Sequence, residues 1–222
     1  MGRRSFFCAI RFLKFSFCGF SYCFDRKGKF IMLTKDHLYL AKRMMRHMEC
    51  KKRHKAAFLL GNIMPDFNPP SYIYLHDGNG LQGHSFKGKK RFILKRLFAK
   101  YKCSMLWWYR NGKAMHYMAD AFTRPHHTEY AYSKRRHAEY ENRLHELFRK
   151  RLHKEDILKK VRSIPKHERF AWLGRLQKKY KKDSSGVQRD YFYIVAAAAF
   201  ALGWLLEASG ARGQNIRAVQ RV

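Results

Sequence analysis

AMHYMADAFTRPHHTEYAYSKRRHAEYENRLHELF, residues 114–148, carries histidines and carboxylates at spacings from which the rest of the chain can be read. His116 and Asp120 stand four apart, which on a helix puts them on one face, a single turn from each other. His137 and Glu141 repeat that spacing on the next helix. Between the pairs, Pro125 ends the first helix and leaves His126 in the turn, where its side chain can point back between two antiparallel helices. Imidazole and carboxylate together suit zinc, and two such pairs on facing helices can supply a polynuclear site. An isolated His–carboxylate pair is ordinarily a surface contact. Here His137, Tyr140, Glu141, Leu144, Phe148 and Leu152 fall on one stripe, so the pair lies on the face that turns inward. A buried carboxylate needs a partner, and a metal provides one. His127, His145, His153 and His167 lack that placement and read as solvent-facing or partly buried histidines.

Outward from this segment the pattern is helical almost throughout. Residues 35–50, 53–60, 84–102, 104–122, 127–153, 166–181 and 189–208 carry apolar positions at three- and four-residue spacing, and alternating strand runs are absent. The fold class is therefore all-α: one compact helical domain with a zinc cluster between antiparallel helices. The clearest loop is GNIMPDFNPPSYIYLHDGNG (61–80), where Gly61 can end a helix and Pro65, Pro69 and Pro70 oppose another. Shorter breaks fall at Thr123–Pro125, Ser163–Pro165 and Lys182–Gly186. Thr34 can cap a helix, with Leu33 and Leu38 at the two positions of a hydrophobic staple. This places the domain at 32–208, after an N-terminal extension at 1–31 and before a flexible basic tail at 209–222.

The extension opens MGRRSFFCAIRFLKFSFCGFSYCF, a poor signal peptide, because Arg11 and Lys14 interrupt its apolar run and no small-x-small site precedes Asp25. The apolar run YFYIVAAAAFALGWLL (191–206) is uncharged for 16 residues, short of the roughly 20 that a bilayer span needs. It reads as a buried C-terminal helix, with Trp204 and the aromatics at 191–193 as the features a membrane helix would share. A cytoplasmic or membrane-associated, monomeric protein is expected. Cys8, Cys18, Cys23, Cys50 and Cys103 form no C-x-x-C pair, so reduced thiols are expected.

A net charge of +32, from 48 Lys+Arg against 16 Asp+Glu, favours polyanionic partners such as nucleic acid or an acidic membrane face. It fits many solvated helix faces equally well. Aromatics interleave with the basic clusters Lys87–Lys102 and Lys178–Lys182 (Phe86, Phe92, Phe98, Tyr101, Tyr180), but at helical spacing they read as core rather than base-stacking platforms.

The sequence H-x-x-x-D-x-x-x-x-x-H followed by H-x-x-x-E closely resembles the motif of the zinc-dependent bacterial phospholipase C family. Upstream, His37 in TKDHLYLAKRMM, Asp66 in GNIMPDFNPP and His84 in GLQGHSFKG stand in the places, and in the order, of the family's early ligands. The resemblance covers about residues 33–150 by motif. It implies up to three zinc ions: one on Asp66, His84, His116 and Asp120, another on His126, His137 and Glu141, and a third on His37 with Asp120 bridging. Family members complete the third site with an N-terminal Trp, which this chain lacks; translation from Met32 would put a free amine five residues before His37. Metals of this kind bind phosphate oxygens, activate water and stabilise an in-line displacement. Asp66 is the expected base or water-orienting residue, with an Asx-type turn role beside Pro65 as its structural counterpart.

The resemblance implies phospholipase C-type hydrolysis of a phospholipid. Zinc-dependent single-strand nucleases are similar in fold and ligand order, and the positive charge would suit nucleic acid. They usually end the motif with Asp after a longer insertion, whereas Glu141 follows a short one. A third reading is a non-catalytic basic zinc protein that docks peripherally on anionic membranes through the two basic clusters.

Overall fold

The described residues, 34–68, 86–127, 134–183 and 186–210 of a computed structural model, fold into seven α-helices without a strand. They are α1 (Thr34–Arg46), α2 (Lys52–Phe67), α3 (Phe86–Leu97), α4 (Met105–Asp120), α5 (Lys134–Arg151), α6 (Arg169–Lys182) and α7 (Val187–Ala208). Single 3₁₀ turns lie at Arg124–His126, Leu158–Lys160 and Lys166–Glu168. The expected extension at 1–31, Met32, His84 and residues 211–222 of the tail lie outside the described residues.

α4 begins where the Ser104 side chain accepts the backbone N–H of Trp107 at 3.2 Å, a serine N-cap. It is buried on most of its circumference, from Trp107 and Trp108 to Ala119 and Asp120, as befits a helix surrounded by others. α2, α3, α1 and α7 all pack against it. Arg96 on α3 reaches Asn111 on α4 at 3.2 Å. α7 supplies the other half of the core: Ile194, Leu202, Leu205 and Leu206 are at most 1% exposed, and each such burial contributes roughly 1.5–3 kcal/mol. α7 is long and apolar enough to cross a membrane, with mean hydropathy 1.6, yet 78% of its most apolar window is buried within the fold. Arg169 at the start of α6 closes the assembly, donating to the Leu97 carbonyl at 3.2 Å and pairing with Glu207 on α7 at 2.6 Å.

The expected break at Gly61 is corrected: α2 runs on through Pro65 to Phe67. A Cβ on Gly61 would lie 2.0 Å from the Tyr109 carbonyl oxygen, and one on Gly112 2.1 Å from that of Phe58. The two glycines let α2 and α4 touch backbone to backbone, so Gly61 marks a close approach rather than a chain end. Pro65 removes one N–H from the last turns of α2, and the buried packing of Gly61, Asn62 and Pro65 carries the helix past it. Asp66 therefore sits on a helix and not in a proline-rich loop. Thr34 is already within α1.

Phe92 and Tyr180 join the core as expected, while Phe98 and Tyr101 are 40% and 36% exposed. Cys50 and Cys103 are free thiols.

Candidate metal centre

Seven of the eight sequence-nominated side chains converge at one end of α4; His84 lies outside the described residues. α1 brings His37, α2 brings Asp66, and α4 brings His116 and Asp120. The 3₁₀ turn brings His126, and α5 brings His137 and Glu141.

Two groups form. In the first, the ligand-type atoms of His37, Asp66 and His116 all lie within 4.8 Å of one another, and in the second those of His126, His137 and Glu141 do the same. Asp120 joins them: one carboxylate oxygen is 3.1 Å from His37 Nε2 and 3.8 Å from His126 Nε2, and the other is 3.1 Å from His116 Nε2. The His37 and His116 rings stack at 3.9 Å. His137 Nε2 lies 2.9 Å from Glu141, as the four-residue spacing requires.

Burial makes these charges expensive. It pushes the Asp66 carboxyl up to about 7, with neighbouring Asp120 adding to the rise and His37 and the Thr34 hydroxyl opposing it. It pushes Glu141 up to about 7 as well, against the pull of His137. Asp120 is equally buried, but the imidazoles of His116, His126 and His37 outweigh that burial and hold it well below the usual carboxylate range. Burial would lower His37, yet the Asp120 carboxylate beside it raises it overall.

A divalent cation fits this cluster. The donor set is imidazole nitrogen and carboxylate oxygen, the set that suits zinc. Glu141 Oε2 and His37 Nδ1 are buried with no hydrogen-bond partner among the described residues, and buried polar atoms are ordinarily satisfied. His116 Nδ1 donates to the Asn62 carbonyl at 2.8 Å, which fixes the tautomer and leaves Nε2 facing Asp66 and Asp120 as an acceptor.

Three supporting contacts escaped the sequence reading. Thr34 donates its hydroxyl to Asp66 Oδ2 at 2.8 Å. Asp36, 1% exposed, accepts from His145 Nδ1 at 2.6 Å, so His145 is not a bystander but ties α5 to α1 beside His37. Asp190, at the start of α7, accepts the Arg124 backbone N–H at 2.7 Å and the hydroxyls of Tyr140 and Tyr180, each at 2.8 Å. Its carboxylate thereby locks the turn bearing His126 to the helix bearing His137 and Glu141. The only local hint was an acid standing immediately before a 16-residue uncharged run.

No curated protein and no solved structure matches the chain. The family model described as zinc-dependent phospholipase C matches residues 36–189, a span that contains every one of the nominated ligands. By that match, and with the histidine–carboxylate cluster assembled inside an all-helical fold, the chain belongs to the zinc-dependent phospholipase C family.

Proposed function

We propose that this chain is a zinc-dependent phosphodiesterase that cleaves phospholipids in the phospholipase C manner, releasing diacylglycerol and a phosphorylated head group. The observation that carries the reading is the convergence of His37, Asp66, His116, Asp120, His126, His137 and Glu141, from four helices and a turn, in a chain of this family. Zinc at such a cluster supplies Lewis acidity to the phosphate and a lowered pKa to water. His37, Asp66 and His116 would hold one ion and His126, His137 and Glu141 another, with Asp120 shared between them. His84, expected on the first ion with Asp66, His116 and Asp120, and the Met32 amine, expected to complete a third ion on His37, both lie outside the described residues.

The protein's own part is orientation and charge. Asp66 has one oxygen fixed by Thr34 at 2.8 Å and the other 3.5 Å from His116 Nε2, so its carboxylate is aimed into the cluster, where it would orient the attacking water or accept its proton. Asn62 keeps His116 in the ligating tautomer, and Asp190 keeps the His126 turn in place.

Zinc-loaded protein and its Asp66→Asn variant, offered phospholipid vesicles, single-stranded DNA and a chromogenic phosphodiester, test the reading. Turnover of lipid, lost in Asp66→Asn, is the expected result. Turnover of DNA alone would move the assignment to a nuclease, which the +32 charge would suit. Retained zinc with no turnover of any substrate would leave a basic zinc protein that docks on anionic membranes.

A further inference from the structure

On α6 and α7, a groove of about 1180 Å³ opens between these helices, the end of α5 and the segment after it. That exceeds the roughly 300–1,000 Å³ of ordinary small-molecule sites. Its lining divides by chemistry. Arg143, Arg151, Lys159, Arg162 and Lys179 stand along it, all exposed, and none forms an ion pair among the described residues. Lys160 and Arg189 add two further cations, paired with Glu155 at 3.0 Å and Asp183 at 3.8 Å. Glu155 is the one acid among the lining residues. Beneath the cations the wall is apolar: Trp172 stacks on Phe200 at 4.5 Å, with Leu176, Ile164 and Val195 alongside.

We infer that this groove binds an anionic phospholipid of a membrane surface, its phosphate among the five cations and its acyl chain along Trp172, Leu176 and Phe192. Charge decides against the chain's own ends as the occupant, because residues 1–33 carry seven Lys and Arg against one acid and residues 211–222 carry three Arg and no acid. The same charge calls for a polyanion or an anionic amphiphile, and the wall separates these. One face of the Trp172 ring is already covered by Phe200, Tyr191 is buried, and Phe192 is the one large ring of the lining that stands well exposed; a single ring beside Leu176 and Ile164 offers hydrocarbon contact rather than a run of base-stacking surfaces. The groove is built from residues outside the metal cluster, so lipid capture here stands apart from whether that cluster hydrolyses lipid. It would hold the protein to an anionic membrane.

The test uses the full zinc-loaded chain and co-sedimentation with vesicles of phosphatidylcholine, with or without phosphatidylglycerol. Three variants address the groove: Lys159→Glu with Arg162→Glu, Ala196→Glu on its floor, and Trp172→Ala. Lys52→Glu with Arg53→Glu, on the exposed start of α2, makes the same charge change elsewhere. Zinc content and thermal melting confirm that each variant folds. Partition onto phosphatidylglycerol vesicles falls about tenfold or more in the groove variants, and less than about twofold in the α2 pair. Equal losses in the two charge pairs would overturn the inference in favour of diffuse attraction. So would groove variants that lose affinity for a single-stranded oligonucleotide while keeping it for vesicles. Turnover of a soluble chromogenic phosphodiester, read on the same samples, stays at the parent level, which separates failure of the groove from failure of the hydrolase assignment.

Discussion

The two halves of the histidine–carboxylate cluster are built by different means. His37, Asp66 and His116 come from three separate helices and are brought together by the packing of α1 and α2 on α4, with side chains at most 3% exposed. His126, His137 and Glu141 come from one turn and one helix within 16 residues of sequence, and two of them are 10% and 22% exposed. The first half is a product of the core; the second is a local arrangement clamped by a single carboxylate, Asp190. Damage to the core should therefore erase the first half, whereas damage to the clamp should loosen the second and spare the first.

The largest effect is expected from Gly112→Leu. Its Cβ would meet the Phe58 carbonyl at 2.1 Å, forcing α2 away from α4 and Asp66 away from His116. Overpacking of this kind costs about 3 kcal/mol or more, and urea unfolding together with elemental analysis should report both the lower stability and the loss of zinc. If zinc content were unchanged, the close glycine crossing would not be what assembles the first half.

Asp190→Asn is the next test. An amide cannot accept all the bonds the carboxylate now takes from Arg124 N–H, Tyr140 and Tyr180, so at least one donor is left unsatisfied, at about 1–3 kcal/mol. Zinc titration should find one class of site weakened about tenfold and the other unchanged. Equal weakening of both would show that the halves are not separable.

A third test uses pH. In chelated protein the folded pKa values of Asp66 and Glu141, about 7, exceed their ordinary 3.8 and 4.5. The folded state then binds more protons than the unfolded state between those limits, so stability is greatest at the acid end and falls as pH rises from about 4 to about 7. His37, raised above 6.5, acts in the same direction. Asp120 acts oppositely, but its depressed value puts its contribution in place by about pH 4. Added zinc should cancel the slope and bind more tightly as pH rises, because ligation displaces protons. Urea midpoints across this range, with chelator and with zinc, measure it; a chelated midpoint that rises with pH would contradict the burial of these carboxylates.

The smallest effect belongs to Arg135→Ala. Its pair with Glu139 at 2.8 Å is on the outer face of α5, with both side chains well exposed. Exposed pairs contribute about 0.2–1 kcal/mol, and neither zinc content nor turnover should change.

The comparison also explains what could be read from the chain alone. The second half was legible because its ligands follow helical and turn spacing, which periodicity exposes directly: His137 and Glu141 lie on the apolar stripe of α5, and Pro125 delivers His126. In the first half His116 was legible from its spacing to Asp120, but His37 and Asp66 needed the family resemblance, since nothing local links His37 to an aspartate 83 residues away. Gly61 misled because a glycine can serve either a helix end or a close helix contact, and only the partner helix decides which. Asp36 and His145 are 109 residues apart, and Asp190 and Arg124 are 66 apart. Pairings at such distances leave no periodic trace, so a partly buried histidine and an acid heading an apolar helix looked unremarkable.

Asp190 has a mechanical consequence as well. The most membrane-like segment among the described residues, α7, has its first turn bolted to the turn that carries His126 and to α5. Drawing α7 out of the fold into lipid would break those bonds and release His126 from its neighbours. Metal retention and insertion of this helix would thus compete, and an ion held by His126, His137 and Glu141 would act as a latch that keeps the greasiest helix inside.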